Sequence, residues 1–433
     1  MTLKTRDSGF GYLHPAYAIS LLALGMITAS MYVLAQPRYS AIIIILFEVV
    51  TAVISPFLCM AGTITVSLFS SSIFSGNMQA VLSFIVLLSL FFHNLDMLRH
   101  FQNSLFMLAV IIILPASYLL GVSPSLNIAI LMLLCMSRVL LMLNTPLEDN
   151  MGIVVMGFIS LGVSTVMYFL VGLTRGLNFI SYRRLSFEGD IKTVAVSVSF
   201  ALMIILFCRL ERKSVFSNFG NIFIDIVLVS SFLLIMLLTV ARGAIIGISA
   251  GLLVFLLASR RGRFTFLIFI PIAIAVIAAA SSFINMNNFF IKRLFLKDEI
   301  TGFNGRTKIW GYYIRKIVNM GPLRILFGAG PGNISRIGTT GRYAHSTFLD
   351  FFFSYGLAGF VTLVICEIRL LIKTIKSGNP IALAITVSSI VIFISHGTAA
   401  NLLMFTMQVL MFTMAAAGST DYEAEEEAGE ENE

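Results

Sequence analysis

The residues best suited to chemistry lie late in the chain, where His345 opens the apolar run AHSTFLDFFFSYGLAGF, Ala344 to Phe360. An imidazole titrates near neutrality and is the usual proton acceptor in catalysis. On a continuous helix begun at His345, the residues Leu349, Phe352, Gly356 and Gly359 fall within about 40° of one line. The spacing therefore predicts a face with the imidazole at its watery end and two glycines deeper, open to close helix packing or to a lipid chain. Asp350 falls on another face, and an ionisable group inside an apolar run is a functional candidate by default. His396, near the end of a later run, is the competing histidine.

Upstream of His345 stretches a strongly basic segment, Phe283 to Ala344, with ten Lys or Arg against Asp298 and Glu299. So much positive charge requires something anionic, and lipid headgroups satisfy that on composition alone. Within it, GRTKIWGYYIRKIV (Gly305 to Val318) sets Ile309, Trp310, Tyr313, Ile314 and Ile317 at helical spacing among Lys308, Arg315 and Lys316. That pattern predicts an amphipathic helix on a membrane surface, opened by Arg306 and marked by the chain's single tryptophan. LFGAGPGN follows, with Gly328, Gly330 and Gly332. The flanks leave no room for the roughly 30-residue βαβ unit of a nucleotide-binding turn, so the glycines read as a hairpin that brings the segment back to the membrane.

The elements that must position these residues are membrane helices. Of the 433 residues 58% are hydrophobic and 12% charged, and the mean hydropathy is +0.96. Apolar stretches long enough to span recur along most of the chain, and they do not alternate as barrel strands would. We expect an all-α integral membrane protein, a polytopic bundle of about 14 (12–14) transmembrane helices, as one membrane domain over residues 1–417. Residues 418–433 form an acidic, disordered cytoplasmic tail; DYEAEEEAGEENE holds eight of the 21 acids and no base. The first run, near 17–35, lacks a cleavage site and reads as a span. Cys59, Cys135, Cys208 and Cys366 lie in apolar runs without paired spacing, which argues for small core residues over a metal site or disulfides.

Short basic loops face the cytoplasm. RLERK (209–213), SRRGR (259–263) and IKTIKSGN (372–379) are the firm anchors, with MLRH around Arg99 on the same side. Counting crossings between them places spans near 78–96, 104–121, 126–144, 151–172, 192–209, 219–240, 242–258, 264–282, 346–372, 380–397 and 398–416. Residues 41–75 form two short spans or one long one, with breaks expected near Ser55-Pro56 and Ala61-Gly62. The outer side then holds the loop 172–192, the tight turn carrying Arg242 in VARGA, and the large loop 283–344 with its short amphipathic helices.

These residues resemble the O-antigen polymerase and ligase superfamily. The resemblance rests on H-S-x-x-L-x6-G-x-x-G at His345, Ser346, Leu349, Gly356 and Gly359, on G-R-x3-W at Gly305, Arg306 and Trp310, on LFGAGPGN, on T-x-x-R-G at Thr239, Arg242 and Gly243, and on R-x4-G-D at Arg184, Gly189 and Asp190. It covers roughly residues 170–365. It implies a multi-pass protein of the bacterial inner membrane whose site faces the periplasm: an inverting, metal-independent glycosyltransferase needing no cofactor. The implied partners are undecaprenyl-diphosphate-linked glycans as donor and acceptor, membrane lipids and a chain-length regulator protein, with no nucleic acid.

Carried over residue by residue, the resemblance makes Arg242, Arg306 and, less securely, Arg184 the diphosphate-binding set, and His345 the catalytic base. Arg forks offer bidentate phosphate contacts with a charge that pH does not remove. Arg183, Asp190, Asp350, Arg315 and Tyr313 are secondary candidates, and Gly328, Gly330, Gly356 and Gly359 shape the site. Two external arginine-bearing regions suit two lipid-linked diphosphates and so favour a polymerase of O-antigen repeat units. A ligase acting on a lipid A core is the runner-up, and a flippase for lipid-linked sugars is a third reading, which the lack of an internal repeat of spans disfavours.

Overall fold

The structure, a computed structural model, describes residues 10, 13–34, 37–70, 77–93, 112–121, 150–176, 180–181, 184–185, 191–211, 213–216, 221–239, 241–259, 271, 274–275, 306–330 and 346–395. The expected spans at 126–144 and 398–416, most of those at 104–121 and 264–282, and the acidic tail lie outside these residues. The chain is a helical membrane protein. Among the described residues, α1 (Pro15–Leu34), α7 (Met151–Thr174), α9 (Ile222–Thr239) and α13 (Thr347–Lys376) are long and apolar enough to cross a membrane. Around them stand α2 (Pro37–Ile54), α3 (Pro56–Thr65), α4 (Ser67–Ser70), α5 (Asn77–His93), α6 (Leu114–Leu120), α8 (Ile191–Leu210), α10 (Arg242–Ala258), α11 (Arg306–Val318), α12 (Pro322–Phe327) and α14 (Pro380–Ser395). One small antiparallel pair, β1 (Ile180–Ser181) with β2 (Arg184–Leu185), interrupts the helices.

The expected break at Ser55-Pro56 is present. Ser55 is extended and accepts from the Leu58 N–H through its side chain, and Pro56 opens α3 where its missing N–H costs nothing. The second break falls at Val66, four residues beyond Ala61-Gly62. Gly62 stays inside α3 because its bare Cα is needed against α2: a Cβ there would stand 2.7 Å from the Phe47 ring and 2.8 Å from Glu48 Oε1.

Helices apolar on every face make the centre. All ten residues of α3 are buried, as is most of α7 and of the described part of α8. Small residues let these backbones meet, since dispersion between lipid-like side chains gives no net drive unless approach is close. Gly157 lies against Ala61, where a Cβ would come within 2.9 Å of the Ala61 Cα, and Gly162 fits under Phe232 and Ala201. The outer helices carry exposed apolar stripes instead: Ile42, Leu46 and Val53 on α2, and Ile246, Leu253 and Leu257 on α10. Such stripes suit a hydrocarbon solvent.

The direction of each helix follows from a few contacts. Gly247 of α10 faces Ile392 of α14, and Gly251 faces Ser388 and Ala384, so the two run antiparallel. Arg209 at the end of α8 pairs with Asp225 at the start of α9, and Ser259 at the end of α10 donates to Glu211. The end of α8, the start of α9, the end of α10 at Ser259 and the start of α14 therefore share one end of the bundle, in line with the common side expected for the basic loops next to them. The start of α10, the end of α14 and the start of α8 share the other.

Candidate functional site

Arg242 is the first residue of α10, one turn after α9 ends at Thr239, which is the tight turn expected of VARGA. Its side chain is half-buried, with Nε fully enclosed. Ala241 and Ala244 beside it pack against Ala195 near the start of α8. That alanine contact fixes the start of α8 beside Arg242. Arg184 pairs with Ser181 across the two-residue hairpin, and β2 rests on α9. Arg183 and Asp190 lie outside the described residues.

The run that begins at His345 folds differently from its spacing. Residues 347–376 form not one rod but two helical segments, because Gly356 leaves helical geometry at φ 68°, ψ −165°. Phe348 and Phe360 show how sharp the break is. Twelve residues of continuous helix span about 18 Å, yet these rings lie 6.4 Å apart, and Phe352 stacks on Phe360 at 5.3 Å. The first segment, 347–355, is folded back onto the second, which at 20 residues keeps enough length to span.

The single face through His345, Leu349, Phe352, Gly356 and Gly359 is thereby corrected. Leu349 and Phe352 pack with α11, Gly356 is the break, and Gly359 lies over Tyr355, its bare Cα pointing towards Ile113. A single face requires helical dihedrals through Gly356, whereas that residue takes φ 68° and packs on the Leu326 carbonyl.

Those contacts come from LFGAGPGN. Gly328 and Gly330 have φ of 87° and 96°, in the left-handed region that glycine enters at little cost. Gly328 lies directly on the Ser354 carbonyl and Gly356 on the Leu326 carbonyl, so a Cβ on either would collide with backbone. The carbonyls that end the first segment are then satisfied: the Ala329 N–H donates to Phe353 O at 2.8 Å and the Gly330 N–H to Ser354 O at 3.1 Å. Gly121, just after α6, closes the same junction, where its Cα leaves only 2.9 Å between a would-be Cβ and the Ala329 carbonyl. Residues 326–330 of LFGAGPGN thus form the clasp that holds a broken helix, and the rest of the expected hairpin, from Pro331 on, lies outside the described residues.

The first segment starts at the shared end of the bundle. Phe348 touches Phe393 near the end of α14, with ring centroids 6.5 Å apart, on the side where α10 begins at Arg242. Ser346 caps the segment in extended geometry, and Asp350 within it is fully buried, its N–H donating to Ser346 O at 2.9 Å. Against the same segment lies α11, begun by Arg306: Tyr313 meets Phe353 edge-on at 5.2 Å and Ile317 completes the contact. Tyr313 is a packing residue here, 3% exposed, while Arg315 points outward with Nε donating to Gly311 O at 3.2 Å. His345 itself, like His396, lies outside the described residues.

The structure therefore places the segment that follows His345 beside the end of α14, on the side where α10 starts at Arg242, and lays α11 against that segment through Tyr313 and Ile317. Sequence reasoning passed over one buried group elsewhere. Glu48, inside IIIILFEVV, is fully buried between α2 and α3, where Thr63 Oγ1 donates to Oε1 at 3.2 Å and Cys59 Sγ donates to Oε2 at 2.9 Å. A lone acid in an apolar run was the signal available, and Cys59 is accordingly more than filler.

Two comparisons bear on this arrangement. No curated protein matches the chain. Residues 226–364, from α9 to the start of the spanning segment of α13, match the family described as O-antigen ligase. That stretch holds Arg242, Arg306, His345 and the glycine clasp but not Arg184, and its similarity supports the O-antigen polymerase and ligase superfamily without dividing its two activities.

Proposed function

We propose that this protein is a glycosyltransferase of bacterial surface-polysaccharide assembly, which takes its donor glycan from undecaprenyl diphosphate at the periplasmic face of the inner membrane. The observation that carries the reading is the match of residues 226–364 to the O-antigen ligase family, a stretch that includes Arg242, Arg306 and His345. The proposed topology has fourteen crossings, with 172–192 and 283–344 in the periplasm.

In this mechanism Arg242 and Arg306 hold the diphosphate, and Arg184 approaches from the hairpin. His345 takes the proton of the acceptor hydroxyl as that oxygen bonds to the anomeric carbon. The carbon–oxygen bond to diphosphate breaks on the opposite side, its electron pair leaves with the phosphate, and the configuration inverts. Guanidinium groups stabilise the charge that develops there. No divalent metal takes part.

We favour polymerisation of lipid-linked repeat units, because two external arginine-bearing regions, Arg175 to Arg184 and Arg293 to Arg342, offer places for two diphosphates. The description of the matched family supports the ligase as a second reading. Purified protein given one synthetic undecaprenyl-diphosphate repeat unit, with EDTA present, is expected to yield a ladder of lengthening products. Product only when a lipid A core is added assigns the ligase instead, and a requirement for Mg²⁺ overturns the metal-independent step.

A further inference from the structure

The amphipathic pattern of Gly305 to Val318 suggested two faces, but α11 has three. Ile309, Tyr313 and Ile317 are turned onto the first segment of α13 and are buried or half-buried there. About 100° around the helix, Ile314 and Val318 face outward, 50% and 68% exposed. Roughly 80–180° further on, back towards the protein side, come in turn Arg315, Lys308, Tyr312 and Lys316, with the Lys316 Nζ 5.7 Å from the centre of the Tyr312 ring. Trp310 sits at the seam between the first two faces, half-buried.

A helix with one side on protein, one exposed and apolar, and one exposed and basic has one orientation in which all three are satisfied. It lies flat where protein, hydrocarbon and headgroups meet. The basic side then faces the phosphate layer, and residues 306–330 contain no acid to neutralise it. Tyr312 and Trp310 are ring types that favour this depth.

We propose that α11 is a docking surface for anionic phospholipids, whose phosphates are held by Lys308, Arg315 and Lys316 while Ile314 and Val318 enter the acyl region. The proposal does not use Arg242, Arg306 or His345, takes Arg315 as a headgroup contact because it faces outward, and stands whether or not the protein is a glycosyltransferase. Near an anionic surface each such cation is worth about 1 kcal/mol, a preference of about fivefold, and the effect is screened by salt.

Because the chain has one tryptophan, the fluorescence of the full-length protein reports on this helix alone. The protein is reconstituted in phosphatidylcholine vesicles with a small fraction of lipid brominated near the carbonyl end of its chains, carried on either phosphatidylglycerol or phosphatidylcholine. Brominated phosphatidylglycerol is expected to quench Trp310 the more strongly, a difference that shrinks in high salt and in K308Q/R315Q/K316Q. Equal quenching by both lipids overturns the proposal, as does a preference indifferent to salt or to the three substitutions. No quenching by either shows that this side of the helix does not meet hydrocarbon. The salt titration uses wild-type protein and decides the matter even if the triple variant fails to fold.

Discussion

At the scale of single residues, the proposed chemistry divides between a group that moves a proton and groups that hold charge. General-base catalysis contributes about 10²–10⁴-fold, so His345→Ala is expected to lower the transfer rate by that factor while the protein still reaches the membrane. A normal product ladder from that variant removes His345 from the base role. For Arg242→Lys and Arg306→Lys the charge stays and the fork goes. Loss of a charge-assisted bond is worth roughly 1.5–3 kcal/mol, and we expect turnover to fall about 10–100-fold in each. Full activity in both would exclude bidentate diphosphate binding.

At the scale of elements, the first segment of α13 owes its position to four glycine backbones rather than to its own sequence periodicity. Gly328 and Gly356 meet back to back, and Gly330 and Gly121 close the junction from either side. Alanine at Gly356 faces both a left-handed backbone, which costs on the order of 1–3 kcal/mol, and a collision with the Leu326 carbonyl. Gly356→Ala is expected to lower the melting temperature of the detergent-solubilised protein and its activity together. Gly311, in the middle of α11, has open space where its Cβ would stand, so Gly311→Ala should gain roughly 0.5–1 kcal/mol of helix preference and hold or raise the melting temperature. If both variants behave alike, the clasp is not what positions the segment.

At the scale of the whole molecule, the helix directions put the ends of α8 and α10 and the start of α14 at one end and the starts of α8 and α10, with the first segment of α13, at the other. Single cysteines in a background lacking the four native ones test which end is which. With intact cells, an impermeant maleimide is expected to label Arg175→Cys and Asn319→Cys, and to reach Lys213→Cys, Arg261→Cys and Lys376→Cys only after permeabilisation. The reverse pattern inverts the topology and places the arginines in the cytoplasm, away from any periplasmic substrate.

Hydropathy alone determined the class of protein and most helix limits: α7, α8, α10 and α14 begin and end within three residues of their expected spans. That follows because a backbone in hydrocarbon must form helix wherever the apolar run is long enough. Charge bias likewise put the basic loops on one side, and Ser55-Pro56 announced its break through local dihedral limits. Local sequence could not announce the break at Gly356. A glycine inside an apolar run is compatible with helix, with close packing or with a kink, and the choice was made by the carbonyls of Leu326 and Ser354, one of them thirty residues away along the chain. For the same reason the three faces of α11 emerged only with its neighbour in place: the sequence distinguishes apolar from charged, whereas only tertiary contact decides which apolar residues meet protein and which meet lipid.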